Sequence, residues 1–220
     1  MRNIIIGRNS KVWTEIGLRK NELSGIWEAI SHSDIKEFEF LEGDRIWILA
    51  YSMIAAENIS MLDTLRSCDL NDFVYISSAS TNVCDYTDCY RYPRLKREAA
   101  NYAKKHLHAK ILTIGLVVKD FEALPAGTTC ATTVGLFFDF LNNYSSSHLG
   151  ENETFLFEMI ERSFKTKFEE NLYNLYGTMQ NFSLSFPCLL RPIDLALKLM
   201  GYRWYGYLYM SNRLWNTTIL

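Results

Sequence analysis

Net charge is nearly absent from this chain: 23 Lys+Arg stand against 25 Asp+Glu, which leaves −2 over 220 residues. That removes any global electrostatic case for a nucleic-acid partner. Long apolar runs are absent too. No stretch approaches the roughly 18 apolar residues of a membrane span, and the opening Met-Arg-Asn-Ile-Ile-Ile-Gly is far too short for a signal peptide. Metal-ligand spacing is missing. His32, His106, His108 and His148 are scattered, and His106 and His108 point to different faces of a helix. The cysteines (68, 84, 89, 130 and 188) are odd in number, and Cys84 and Cys89 stand too far apart for a Cys-x-x-Cys knuckle. They read as reduced thiols of a cytoplasmic protein. Five Asn-x-Ser/Thr matches (Asn58, Asn143, Asn152, Asn181, Asn216) mean nothing without secretion.

What is present is ordinary globular material with one excess. Hydrophobic residues make up 48% and charged residues 22%, which argues against disorder, while 14% are aromatic. Aromatics supply buried area and also line clefts and interfaces. Two hundred and twenty residues make one large domain or two small ones, with chain enough for a sizeable core.

Short apolar runs alternate with helical spacing through the first half. Ile4-Ile5-Ile6 ends at Gly7 and reads as a buried strand; Arg8, Asn9 and Ser10 form a turn, and Lys11 to Lys20 is amphipathic. Ile26 to Ile30 is a strand or a short helix, ending in Ser31-His32-Ser33-Asp34. Arg45 to Tyr51 is strand-like, Ala55 to Cys68 helical, and Phe73 to Ile76 a strand closed by Ser77-Ser78. Pro93 to His108 is a helix with Leu95, Ala99, Ala103 and Leu107 on one stripe, and Ala109 to Val118 a further strand. This order predicts an α/β fold: a Rossmann-like, doubly wound parallel sheet with helices on both faces. Beyond residue 120 the pattern weakens. Gly127 to Asn142 and Asn152 to Tyr176 look helical, which predicts a small, mostly helical C-terminal region. The expected division is a sheet core over 1–125 and a smaller region over 126–220, packed as one unit with the core.

In such a sheet ligands bind beyond the carboxyl ends of the strands, where Gly7, Tyr51, Ser77 and Ser78 fall. Tyr92 and Lys96 stand four apart at the start of a helix and share one face. Pro93 suits a first turn. A lysine ammonium beside a phenol stabilises the phenolate, which makes a proton donor or acceptor near neutral pH. Ser78 could hydrogen-bond the same substrate oxygen. Alone, the Tyr-x-x-x-Lys pair is weak evidence, because helices offer such pairs by chance.

The context is more specific. Asn58-Ile-Ser-Met-Leu-Asp-Thr-Leu, Phe73-Val-Tyr-Ile-Ser-Ser-Ala-Ser, Tyr92-Pro-Arg-Leu-Lys96-Arg-Glu-Ala and Ile111-Leu-Thr-Ile-Gly-Leu-Val-Val follow in that order. The series resembles the short-chain dehydrogenase/reductase superfamily, in particular its extended branch of NAD(P)-dependent sugar-nucleotide epimerases and dehydratases. The resemblance covers residues 1–120. It implies an oxidoreductase or epimerase that moves a hydride between NADP or NAD and a carbinol or ketone carbon. By resemblance Tyr92 is the general acid/base and Lys96 holds the nicotinamide ribose and depresses the tyrosine pKa. Ser78 orients the substrate oxygen, with Ser77 the alternative. The implied substrate is a nucleotide-activated sugar of surface-polysaccharide biosynthesis, and the implied assembly is a homodimer formed through two helices, one bearing Tyr92. Ala79-Ser80 follow the serine where a dehydratase carries an acidic residue, so oxidation–reduction or epimerisation fits better.

The chain also departs from that family. Its nucleotide loop, Gly-x-x-Gly-x-x-Gly, permits a tight turn and close approach to the pyrophosphate. Here the three positions are Gly7, Ser10 and Trp13. A tryptophan at the third must alter helix–strand packing or cover the pocket. No acidic residue is evident at the end of the second strand. Arg8, Ser31, His32 and Ser33 lie there instead, and a cation with hydroxyls suits a 2′-phosphate, so NADP is favoured over NAD. The alternative for Arg8 is a solvated turn residue. One strand–helix unit is trimmed before Arg45. Tyr51 and Ser52 either contact the nicotinamide side or pack. Arg191 either grips a substrate diphosphate or is a surface residue. The aromatic tail from 202 to 215 reads as core or dimer surface before a ligand platform, and it lacks the cationic face of a membrane anchor. The competing functional reading is a degenerate, non-catalytic dinucleotide-fold sensor or scaffold protein, which the altered glycine loop supports.

Overall fold

The computed structural model describes residues 2–17, 19–85, 90–121, 130–144 and 153–159, together with 166–168, 170, 171, 174, 175, 192 and 199. Strand β1 (Arg2–Ile6) leads into helix α1 (Lys11–Gly17), strand β2 (Ile26–Ile30) and strand β3 (Arg45–Ile48). Helix α2 (Ala55–Arg66), strand β4 (Asp72–Ser78), helix α3 (Arg91–His106) and strands β5 (Lys110–Ile114) and β6 (Leu116–Val118) follow. Strand β7 (Cys130–Thr133), helix α4 (Val134–Asn143) and strands β8 (Thr154–Leu156) and β9 (Glu158–Met159) complete the described elements.

Six strands form one sheet in the order β2-β1-β3-β4-β5-β8, every pairing parallel. The first five, β2-β1-β3-β4-β5, are the doubly wound order 3-2-1-4-5-6 without its outermost strand 3, and β8 adds a sixth strand at the other edge. The trimmed unit is thus the one beyond β2: the chain returns to β3 through a 3-10 turn at His32–Asp34 and a loop. Strand order reverses between β1 and β3, so the crevice that such sheets use for ligands opens at the ends of these two strands.

Period-2 alternation sorts the apolar residues onto two faces. Ile4, Ile6, Ile46, Ile48, Phe73 and Tyr75 face α2 and α3, where Leu62, Leu65, Ala99 and Ala103 cover them. Ile5, Trp47, Val74, Ile76 and Leu112 face the other way, under Trp13 and Ile16 of α1 and Phe137, Phe138 and Leu141 of α4. The stripe read on α3 is the buried one: Leu95, Ala99 and Ala103 are all under 5% exposed.

Three expectations change. The strand expected over Ala109–Val118 breaks at Gly115 into β5 and β6. A Cβ there would lie 2.9 Å from the Ala131 backbone, so the absence of a side chain lets β7 close in. The helix expected over Gly127–Asn142 begins only at Val134, because Cys130–Thr133 is a strand, and Thr133 Oγ1 caps α4 by accepting from the Leu136 N–H at 3.0 Å. The helix expected from Asn152 begins instead as strands β8 and β9. The Thr113 hydroxyl bonds the Glu153 carboxylate at the start of β8, and Thr132 Oγ1 donates to the Leu156 carbonyl. Arg191 and the tail from 202 to 215 lie outside the described residues. No helix among the described residues is long and apolar enough to cross a membrane.

Candidate active site

Gly7 sets the floor of the crevice. Its φ is +115°, a region that side chains rarely adopt, and a Cβ would stand 2.7 Å from the Ala50 nitrogen. The strands are stitched here: the Leu49 and Ala50 N–H groups both donate to the Ile6 carbonyl, at 2.9 and 2.8 Å. Ser10 then starts α1. Its Oγ accepts from the Trp13 N–H at 3.1 Å, the bond of an N-cap. Trp13 turns away from the crevice. It is buried, stacks on Trp27 at 6.2 Å, and extends a run that continues through Trp47 to Tyr144. Of the two consequences expected from a tryptophan at this position, altered packing is the one that occurs.

Arg8 is half exposed and pairs with Asp34 at 3.5 Å. Asp34 is a residue that sequence reading passed over, although it lies only four positions past β2. Hydrogen bonds from Ser33 and the Ser31 N–H hold its carboxyl below the usual range, with Arg8 adding to the effect. Ser31 caps the turn that carries His32.

The chemical groups gather where β3 and β4 end. Ser78 is the last residue of β4, and its hydroxyl lies 2.8 Å from that of Ser80. It also lies close enough to the Tyr92 hydroxyl to counter the upward push of burial on that phenol. Ser77 is buried at 3% exposure, so Ser78 is the serine the structure brings to Tyr92. Lys96, one turn along α3, is 6% exposed, and its Nζ donates to the Ile76 carbonyl at 2.9 Å. The ammonium also lies over the rings of Tyr75 at 5.0 Å and Tyr51 at 5.3 Å. Tyr51 meets Tyr92 edge to face at 5.1 Å, and its hydroxyl lies 2.9 Å from Met53 Sδ. Arg91 Nη2 donates to the Met53 carbonyl at 2.6 Å.

Electrostatics differ from the expectation at one point. Burial pushes the Tyr92 phenol up, opposed by its hydrogen bond with Ser78. The expected depression by Lys96 is not what this geometry gives, because the ammonium is turned to a carbonyl and two ring faces. Burial also holds Lys96 down to about 8 and pushes Tyr51 up to about 12.

Asn58 is a second group without an assigned role in the sequence reading. It is 3% exposed, accepts from the Ser52 N–H and donates to the Ser52 carbonyl, both at 2.8 Å. One buried amide thus fixes the backbone just after Tyr51. A polar residue at a core-facing position of a helix is the signal that could have found it.

These groups are set in a known architecture. A short-chain dehydrogenase/reductase (wide type) from Veillonella parvula, solved in complex with NADP, superposes with a TM-score of 0.53 at 11% identity. The match covers 74% of this chain and 97% of that one. The chain shares that protein's Rossmann-like fold. The oxidoreductase YlbE from Lactococcus lactis matches with a TM-score of 0.51 at 14% identity, over 78% of this chain and 97% of its own. RMD from Pseudomonas aeruginosa, complexed with NADPH, gives 0.50 at 11%, over 71% and 78%. No family model and no curated protein matches the sequence.

A dinucleotide would lie across the crevice between β1 and β3. At one end Gly7 lets the β1 turn close onto the Ala50 backbone, which a Cβ would hit, and Trp13 is packed against the sheet. At the other end the Lys96 ammonium lies 5.3 Å from the centre of the Tyr51 ring.

Proposed function

We propose that this protein is an NAD(P)-dependent oxidoreductase or epimerase acting on a hydroxyl- or carbonyl-bearing substrate of the nucleotide-activated sugar class. The observation that carries the reading is the meeting of Ser78 and Tyr92 at the end of β4, with Lys96 one helical turn away. The fold supports it, and the Veillonella and Pseudomonas proteins were solved with NADP and NADPH. The sugar-nucleotide class, the homodimer and the role of Arg191 rest on the sequence resemblance alone.

In this reading Gly7, Arg8, Asn9 and Ser10 face the pyrophosphate, Ser31 and His32 the adenosine ribose, and Tyr51, Ser52 and Lys96 the nicotinamide ribose. The bound nicotinamide supplies or takes the hydride. Tyr92 gives its hydroxyl proton to the substrate oxygen on reduction and takes it back on oxidation. Ser78 hydrogen-bonds the same oxygen and orients it. The raised phenol suits a proton donor at neutral pH. Arg8 is the group for a 2′-phosphate, and Asp34 competes for its charge.

Titration with NADPH and NADH, followed by tryptophan fluorescence, tests the cofactor. Binding of one or both is expected; no binding at millimolar concentration favours the non-catalytic scaffold. Tyr92→Phe is expected to keep cofactor affinity and to lower turnover by at least 100-fold, the low end for a lost general acid. Unchanged turnover removes Tyr92 from the chemistry.

A further inference from the structure

The ammonium of Lys96 has three N–H donors. Within the described residues its conventional acceptor is one carbonyl, that of Ile76, and ring faces meet the rest. The two rings are not equivalent. Tyr75 belongs to β4, is 1% exposed and sits among Ile48, Ala99 and Ile111 in the core. Tyr51 lies beyond the end of β3, is partly exposed, and has its hydroxyl on a thioether, a weak acceptor. Tyr51 is therefore the wall of the ammonium's cage that faces the crevice.

The backbone under Tyr51 is fixed on both sides. Ala50 is tied to Ile6, and Ser52 is held at both its N–H and its carbonyl by Asn58. Movement here is rotation of a side chain rather than opening of a loop.

We propose that the Tyr51 ring is a partition between Lys96 and the cofactor crevice, and that it turns aside when a nicotinamide ribose arrives. The hydroxyls of a ribose give the ammonium two conventional acceptors in exchange for one ring face. Tyr51 is then a positioning residue: it holds Lys96 on the Ile76 carbonyl until cofactor is present. The proposal rests on the cofactor reading above.

Calorimetry on the full chain separates the two. The probes are NADPH and NADH, and 2′,5′-ADP and ADP, which carry the adenosine half without a nicotinamide ribose. Tyr51→Leu removes the aromatic face and keeps apolar bulk; Tyr51→Ser is a second replacement at this partly exposed position, in case the first misfolds. Tyr51→Phe keeps the ring. Both ring-removing variants are expected to bind the preferred dinucleotide about tenfold tighter, as when a closed state is removed from the equilibrium. Affinity for the adenosine-half probes is expected to stay at the wild-type value, and Tyr51→Phe to match wild type throughout. A merely structural tyrosine gives the opposite, weaker binding on its removal. Equal or weaker dinucleotide binding by the ring-removing variants overturns the partition and leaves the cofactor reading standing, as does a gain shared with the adenosine-half probes. Failure of wild type and every variant to bind any probe overturns both.

Discussion

Burial holds Lys96 down to about 8 from an ordinary 10.5. A difference of this size corresponds to roughly 3 kcal/mol of penalty for carrying the charge in the folded protein at pH 7. The sign follows from proton counting. Between pH 8 and 10.5 the unfolded chain holds a proton that the folded chain has lost, so this group makes stability rise with pH across that window. Lys96→Met is therefore expected to stabilise the protein by about 2 kcal/mol at pH 7, after losing the bond to Ile76, while abolishing turnover. Urea unfolding at pH 7 and pH 10 checks this: the gain should shrink at the higher pH. Gly7 presents the reverse case. Gly7→Ala puts a Cβ 2.7 Å from backbone at a positive φ, and a loss of about 2–4 kcal/mol is expected by the same measurement.

At the level of elements, α1 is where sequence and family pattern disagree most. It meets the sheet through Trp13, which stacks on Trp27, which in turn meets Trp47. Trp13→Gly restores the family spacing and is nonetheless expected to cost about 3–5 kcal/mol, the range for truncating a buried aromatic. Thermal melting of the variant, set beside its affinity for NADPH, tests whether the loop was improved or the core lost. Other elements show what a sequence can disclose. Ile4 to Gly7 and the stripe on α3 were legible because periodicity and burial coincide there. So were the positions of Ser78 at the end of β4 and of Tyr92 and Lys96 one turn apart on α3, because strand end and helix face are fixed locally. The state of Lys96 was not legible. It depends on Tyr51, Tyr75 and the Ile76 carbonyl, which long-range packing brings together. Asp34 was missed because it reaches Arg8 across a turn rather than from the strand end itself. The strands β7 and β8 were missed because each is only three or four residues long and pairs with segments far away in sequence.

For the molecule as a whole, the sheet is covered by helices drawn from both ends of the chain. Phe137, Phe138 and Leu141 of α4 cover the face that carries Ile5 and Trp47, and β8 extends the sheet beyond β5. Residues on both sides of position 125 thus share one apolar cluster. A fragment of residues 1–125 is expected to expose that face and to bind a hydrophobic dye rather than fold cooperatively. Circular dichroism and dye fluorescence of the fragment against the full chain check it.

The double tie of Leu49 and Ala50 to one carbonyl has a consequence for altering this protein. What enters between β1 and β3 meets a base tied by backbone hydrogen bonds, so adaptation falls to the side chains of the rim, from Tyr51 to Ile54. Attempts to change what the chain accepts should be directed at those four side chains; changes to the base will be felt first as lost stability.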